Sequence, residues 1–99
     1  MVHVEYSLEA DATAHRLPKE ALQAFFDILE DWRAKPRLVL PGSYITHPLR
    51  NAKNLWTLKL PDDLNPNWRD YRCTYAWTGT EIRVLRFGTW RNNYEHLSR

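Results

Sequence analysis

The stretch Trp68–Trp77, WRDYRCTYAW, and the stretch Glu81–Tyr94, EIRVLRFGTWRNNY, joined through Thr78-Gly79-Thr80, decide the fold. In the first of them Tyr71, Cys73, Tyr75 and Trp77 alternate with Arg72, Thr74 and Ala76. A period of two marks a strand with one buried face. Ile82–Phe87 is rich in β-branched and aromatic residues, which suit a central strand. Gly79 can adopt the positive φ of a tight hairpin, so a two-residue turn at Thr78-Gly79 is predicted. Upstream, Leu55–Leu60 (LWTLKL) sets Trp56, Leu58 and Leu60 against Thr57 and Lys59. Three consecutive strands are therefore expected, with Cys73 a small hydrophobe in the core rather than a nucleophile.

Toward the N-terminus, Val2, Val4, Tyr6 and Leu8 alternate with His3, Glu5 and Ser7, which predicts a first strand. Residues 9–17 read as a short helix. Pro18 fits the first turn of a second, where its missing N–H costs nothing. Over Lys19–Ala34, Leu22, Phe25, Phe26, Leu29 and Trp32 recur at helical spacing and form one stripe for a core. Pro36 ends that helix, because the residue before a proline avoids the helical region. Pro41, Gly42 and Pro48 interrupt residues 36–53, so the expectation is a short extended piece at Arg37–Leu40 on a sheet edge, with residues 43–54 wrapping back. Asp62–Asn67 is a polar turn, and Asn92 or Asn93 can cap a last short helix. The predicted order is β-α-α-β-β-β-α: an α+β fold with a mainly antiparallel sheet and helices on one face.

Ninety-nine residues make one domain, 1–99, with a single core. An apolar content of 43% with five tryptophans excludes a disordered chain. No apolar run approaches the roughly 18–20 residues of a membrane span, and the first residues lack a secretion signal's layout, so a cytoplasmic protein is expected. One cysteine excludes an internal disulfide and argues against a cysteine-built zinc site. Charge is unevenly spread. Residues 1–46 carry five Lys/Arg against seven Asp/Glu, a net −2, and residues 47–99 carry nine against five, a net +4. The basic half holds four of the five tryptophans. Cations among aromatics suit phosphate contacts and base stacking on single-stranded nucleic acid, although arginines on the outer face of a sheet look the same.

Element order and residues together resemble the RelE/ParE superfamily of type II toxins. Leu55–Leu60, approached through Pro48-Leu49-Arg50, looks like the family's second strand. Tyr71–Tyr75 (YRCTY) is similar to its Tyr-Arg-x-x-Tyr. Gly88–Tyr94 (GTWRNNY) resembles the closing glycine–basic–tyrosine segment. The RelE branch comprises ribosome-dependent ribonucleases that cut messenger RNA, and the ParE branch poisons DNA gyrase; a partner antitoxin neutralises both. For the RelE branch the resemblance implies attack by a ribose 2′-OH on the adjacent phosphate, with no metal or other cofactor. Such a reaction needs a proton acceptor, cations for the phosphate charge and a donor for the leaving oxygen.

Carried over residue by residue, the resemblance makes Arg72 the transition-state cation and Lys59 the second of two lysines, the first being Thr57 here. It also makes Arg91 a phosphate-binding position and Tyr94 a stacking or acid–base residue. His96, just past the motif, is a further candidate proton shuttle, and His47 precedes it in the loop region. Arg50, Lys53, Arg86 and Trp90 complete the expected RNA contacts. The partners implied are an antitoxin, the ribosome and messenger RNA, with the antitoxin docked on a sheet edge or beside the amphipathic helix. A gyrase-binding toxin and an inactive RelE-fold binding protein are the alternatives, the missing lysine favouring the first of these.

Overall fold

The computed structural model describes residues 3–34, 46–49, 54–61, 63–89 and 91. Within them the chain forms β1 (His3–Tyr6), α1 (Leu8–Thr13), α2 (Lys19–Ala34), β2 (Thr46–Pro48), β3 (Leu55–Lys59), β4 (Tyr71–Trp77) and β5 (Glu81–Thr89). Single 3₁₀ turns follow α1 (Ala14–Arg16) and precede β4 (Pro66–Trp68). The sheet order is β1-β5-β4-β3-β2. β1 runs parallel to β5, and the other neighbours are antiparallel. The α+β architecture is the one predicted, with one strand more.

That strand is β2. It pairs with β3 from Thr46 opposite Leu58 to Pro48 opposite Trp56, and Pro48 is tolerable there because an edge strand needs no donor on its outer side. The edge piece therefore lies at Thr46–Pro48; Arg37–Leu40, where it was expected, falls outside the described residues, as does the expected C-terminal helix at 92–99.

α2 begins and ends at the predicted residues. Ala21, Phe25 and Leu29 are wholly buried and Trp32 nearly so, while Leu22 and Phe26 are partly buried against the same core. The Trp32 ring meets Tyr75 edge-on at 5.5 Å, and Phe25 lies 6.0 Å from Phe87. The tyrosine side of β4 is the buried one, as its alternation requires. Cys73 is fully buried there, and burial pushes its thiol pKa up, so it stays protonated and inert.

The first strand is shorter than its alternation implied. Ser7 leaves the β pattern to cap α1, its hydroxyl accepting from the Ala10 N–H at 3.0 Å. Leu8 is consequently exposed on the first turn instead of continuing the buried row. The same Ser7 hydroxyl donates to the Leu85 carbonyl at 2.9 Å, and the Ser7 N–H donates to Val84 O. One turn on, Thr13 Oγ1 donates to Glu9 O at 2.7 Å and accepts from the Phe87 N–H at 2.9 Å. Where β1 stops, side chains of α1 and its cap thus take over the edge of β5. Ser7→Ala should cost about 1–2 kcal/mol, at the upper end for a helix cap, because a sheet contact is lost with it. A thermal melt indistinguishable from wild type would rule that out.

The β4–β5 hairpin turns one residue later than predicted. Thr78 N–H donates to Glu81 O, so the two loop residues are Gly79 and Thr80. Gly79 has φ +99°, and among the described residues Asn54 is the only other one with a positive φ. Positive φ at the first loop position alone is the pattern of a type II′ turn. A Cβ at Gly79 would meet nothing within 4 Å, so Gly79→Ala tests backbone conformation without a clash. We expect a loss of about 1–2 kcal/mol from the left-handed geometry, read as a lower denaturation midpoint with an unchanged slope.

Candidate functional site

Because α2 packs on the Leu58, Cys73, Tyr75 and Phe87 side, strand alternation sends Thr57, Lys59, Arg72 and Thr74 to the opposite face. β5 joins that face through a bulge. Tyr75 pairs with Val84 and Thr74 with Arg86, which leaves Leu85 as an extra residue. The inserted residue shifts the phase of the strand: Ile82 and Val84 point to the core before it, and Phe87 does so after it. Arg86 and Gly88 are thereby turned to the face away from α2. Unbulged alternation from Ile82 would have driven Arg86 into the core.

Two cross-strand rows result. Lys59 is opposite Arg72, which is opposite Gly88; alongside run Thr57, Thr74 and Arg86. In the backbone register, position 47 of β2 pairs with Thr57. Lys59 and Arg72 are both half-buried, and directly opposed residues have Cβ atoms only about 4.5–5.5 Å apart. Arg72 is anchored by its own backbone surroundings: Nη1 donates to the carbonyls of Arg69 and of Tyr71, the latter at 3.0 Å. Those carbonyls belong to the residue that caps the 3₁₀ turn and to the start of β4; the turn opens at Asn65, whose side chain accepts from the Asn67 N–H at 2.9 Å. A guanidinium whose Nη1 is held by two carbonyls keeps its plane in a fixed direction, as recognition of phosphate requires.

Arg86 is not the exposed cation its sequence suggested. It is 8% exposed, and its Nη2 lies 3.1 Å from the Glu9 carboxylate on α1. The reason is the bulge, which presents Arg86 beside the α1 end of the sheet, where Glu9 reaches it. Thr57, the residue in place of a first lysine, is buried too. Arg91 is exposed, two residues beyond β5. Arg50, Lys53, Trp90, Tyr94 and His96 lie outside the described residues. Of the expected site, Lys59 and Arg72 are brought together, Arg86 is on the same face but engaged, and Arg91 stands at the strand's exit. Glu9 was missed, since nothing local distinguishes it from any helix-surface carboxylate.

The chain superposes on a chain of the RelB–RelE antitoxin–toxin complex from Methanococcus jannaschii with a TM-score of 0.70, covering 93% of this chain and 96% of that one at 12% identity. The chain has the RelE fold. The isolated RelE toxin of E. coli shares this RelE fold, with a TM-score of 0.61, 13% identity and coverage of 98% and 99%. So does a chain of the E. coli DinJ–YafQ complex, with a TM-score of 0.61, 21% identity and coverage of 93% and 97%. No protein-family model and no curated protein sequence matches the chain. Within the RelE fold the two rows lie on the sheet face opposite α2. Among the described residues, no helix is long and apolar enough to cross a membrane.

Proposed function

We propose that this chain is the toxin of a toxin–antitoxin pair and that it cleaves messenger RNA on the ribosome. The observation that carries the reading is the direct cross-strand pairing of Lys59 with Arg72 on the face α2 leaves uncovered, in a fold shared with toxins solved alongside their antitoxins. Two cations abreast suit a phosphodiester whose non-bridging oxygens gain charge in the transition state. In the reaction the 2′-oxygen bonds to phosphorus as its proton passes to a base, and the bond from phosphorus to the 5′-oxygen breaks. The leaving oxygen takes up a proton. The products are a 2′,3′-cyclic phosphate and a 5′-hydroxyl. Arg72 and Lys59 hold the phosphate; Arg91 provides a further cation, and proton transfer falls to Tyr94 or His96. Arg50, Lys53 and Trp90 contact flanking nucleotides. The protein partner is an antitoxin, and the site of action is the cytoplasm.

Primer extension on messages from cells briefly expressing the protein tests this reading. Cuts confined to translated regions, ending in a 5′-hydroxyl and absent with Arg72→Ala, are expected. Intact messages in growth-arrested cells would transfer the assignment to a gyrase-directed toxin, checked by a supercoiling assay. Intact messages with normal growth would leave a binding protein.

A further inference from the structure

Arg86 is the one charged side chain buried among the described residues. Its Nη2 meets Glu9, but its Nε and Nη1 have no hydrogen-bond partner, nor has the buried hydroxyl of Thr74, its cross-strand neighbour. Buried donors are rarely left without partners, so such a cluster calls for an occupant. Glu9 differs from Arg86 in being accessible: its side chain is 47% exposed. The carboxylate therefore marks a route from solvent to the guanidinium, and an anion replacing it would reach the same donors. Phosphate and carboxylate are interchangeable partners for that planar fork. The position is also close to the other cations. Thr74 faces Arg86 and Arg72 faces Gly88, so Arg72 and Arg86 are diagonal neighbours, at a backbone spacing of about 7–8 Å.

We propose that Arg86 and the Thr74 hydroxyl form a second phosphate seat beside the Lys59–Arg72 row, filled by Glu9 in the free protein and by a backbone phosphate when RNA binds. This rests on the RNA-cleaving reading above. Glu9 acts as an internal competitor: it keeps a buried arginine paired until substrate arrives, and it weakens RNA binding by the affinity it must give up. Inorganic phosphate offers the same chemistry as a backbone phosphate, so the test must separate the two.

The probe is a short fluorescein-labelled single-stranded RNA, 2′-O-methylated so that it cannot be cut, its binding read by fluorescence anisotropy over a salt series. Glu9→Gln should bind about three- to tenfold tighter at low salt, the gain of one charge-assisted contact freed from its competitor. Its plot of log affinity against log salt should steepen by about 0.7, one more phosphate neutralised on a single strand. Glu20→Gln removes the same charge from the surface of α2 and should show neither change. Adding Arg86→Gln to Glu9→Gln should cancel the gain. Equal affinity and slope in Glu9→Gln and wild type, or a gain that survives Arg86→Gln, would overturn the proposal. So would a melting temperature raised by sodium phosphate over chloride at matched ionic strength with RNA affinity unmoved, since the seat would then serve small anions alone. Should Glu9→Gln fail to fold, Glu9→Asp withdraws the carboxylate by one methylene and should shift affinity the same way by a smaller amount. A wild-type protein that binds no RNA at low salt and leaves messages intact defeats the RNA reading itself. One that binds and cuts while Glu9→Gln changes nothing defeats this proposal only.

Discussion

Phe25→Ala should destabilise the protein by about 3–5 kcal/mol, the range for deleting a fully buried phenylalanine. Phe25 is 0% exposed and lies between α2 and the sheet against Phe87, so neither exposed chain nor water is at hand to fill the void. Domains of this size hold only about 5–15 kcal/mol in total, so the loss removes a large share of it. At about 4–8 °C per kcal/mol, the melting temperature should fall by more than about 12 °C. Phe26→Ala is the internal comparison. The periodicity sets the two phenylalanines on one stripe, but Phe26 is only partly buried, stacking edge-on with Tyr6 at 5.6 Å and with Phe87 at 6.0 Å. Its truncation should cost less, because part of its ring already meets water in the folded protein. Equal losses in the two variants would mean that α2 is rotated on the sheet from the arrangement described.

Arg72→Ala should lower cleavage by about 10²–10³-fold, the usual effect of removing one preorganised donor to developing charge. The fold should be untouched, because Arg72 is half-buried on the face away from the core and its guanidinium is held by backbone carbonyls near its own strand start. Arg72→Lys sharpens the test. A lysine restores charge but neither the planar fork nor the grip on the Arg69 and Tyr71 carbonyls, so recovery should be partial. Single-turnover rates on translating ribosomes, beside a melt of each variant, measure both effects. Full activity in Arg72→Ala would exclude this arginine from the reaction and leave the cross-strand pair without its stated purpose.

The parts of this fold that obey a local period were legible. β4 spans Tyr71–Trp77 with its tyrosines inward, and α2 occupies Lys19–Ala34, because two-residue and 3.6-residue rhythms are written directly in the side chains. What failed depended on something other than rhythm. β2 is three residues long, too short to show any period, and it lies in a stretch whose prolines read as breaks. Leu8 continued the strand alternation, but the capping strength of Ser7 outweighed it. The bulge at Leu85 has no local mark, yet it determines which face Arg86 occupies. The site was half legible for the same reasons. Lys59 and Arg72 share a face by simple alternation of two strands, whereas the Glu9–Arg86 pair joins residues from opposite ends of the chain, and no spacing rule reaches that far.

The placing of β1 also sets an order of events during synthesis. Among the described residues its one sheet neighbour is β5, and the hydroxyls of Ser7 and Thr13 close onto β5 residues 78 and 74 positions further along. The register of β1 and α1 therefore waits for β5 to leave the ribosome. Contacts of such long sequence separation form slowly, because the intervening chain must be ordered first. The row carrying Lys59 and Arg72 is completed by Gly88 of that same strand. A nascent chain thus cannot complete the Lys59–Arg72–Gly88 row until β5 itself has been made and has paired with β4.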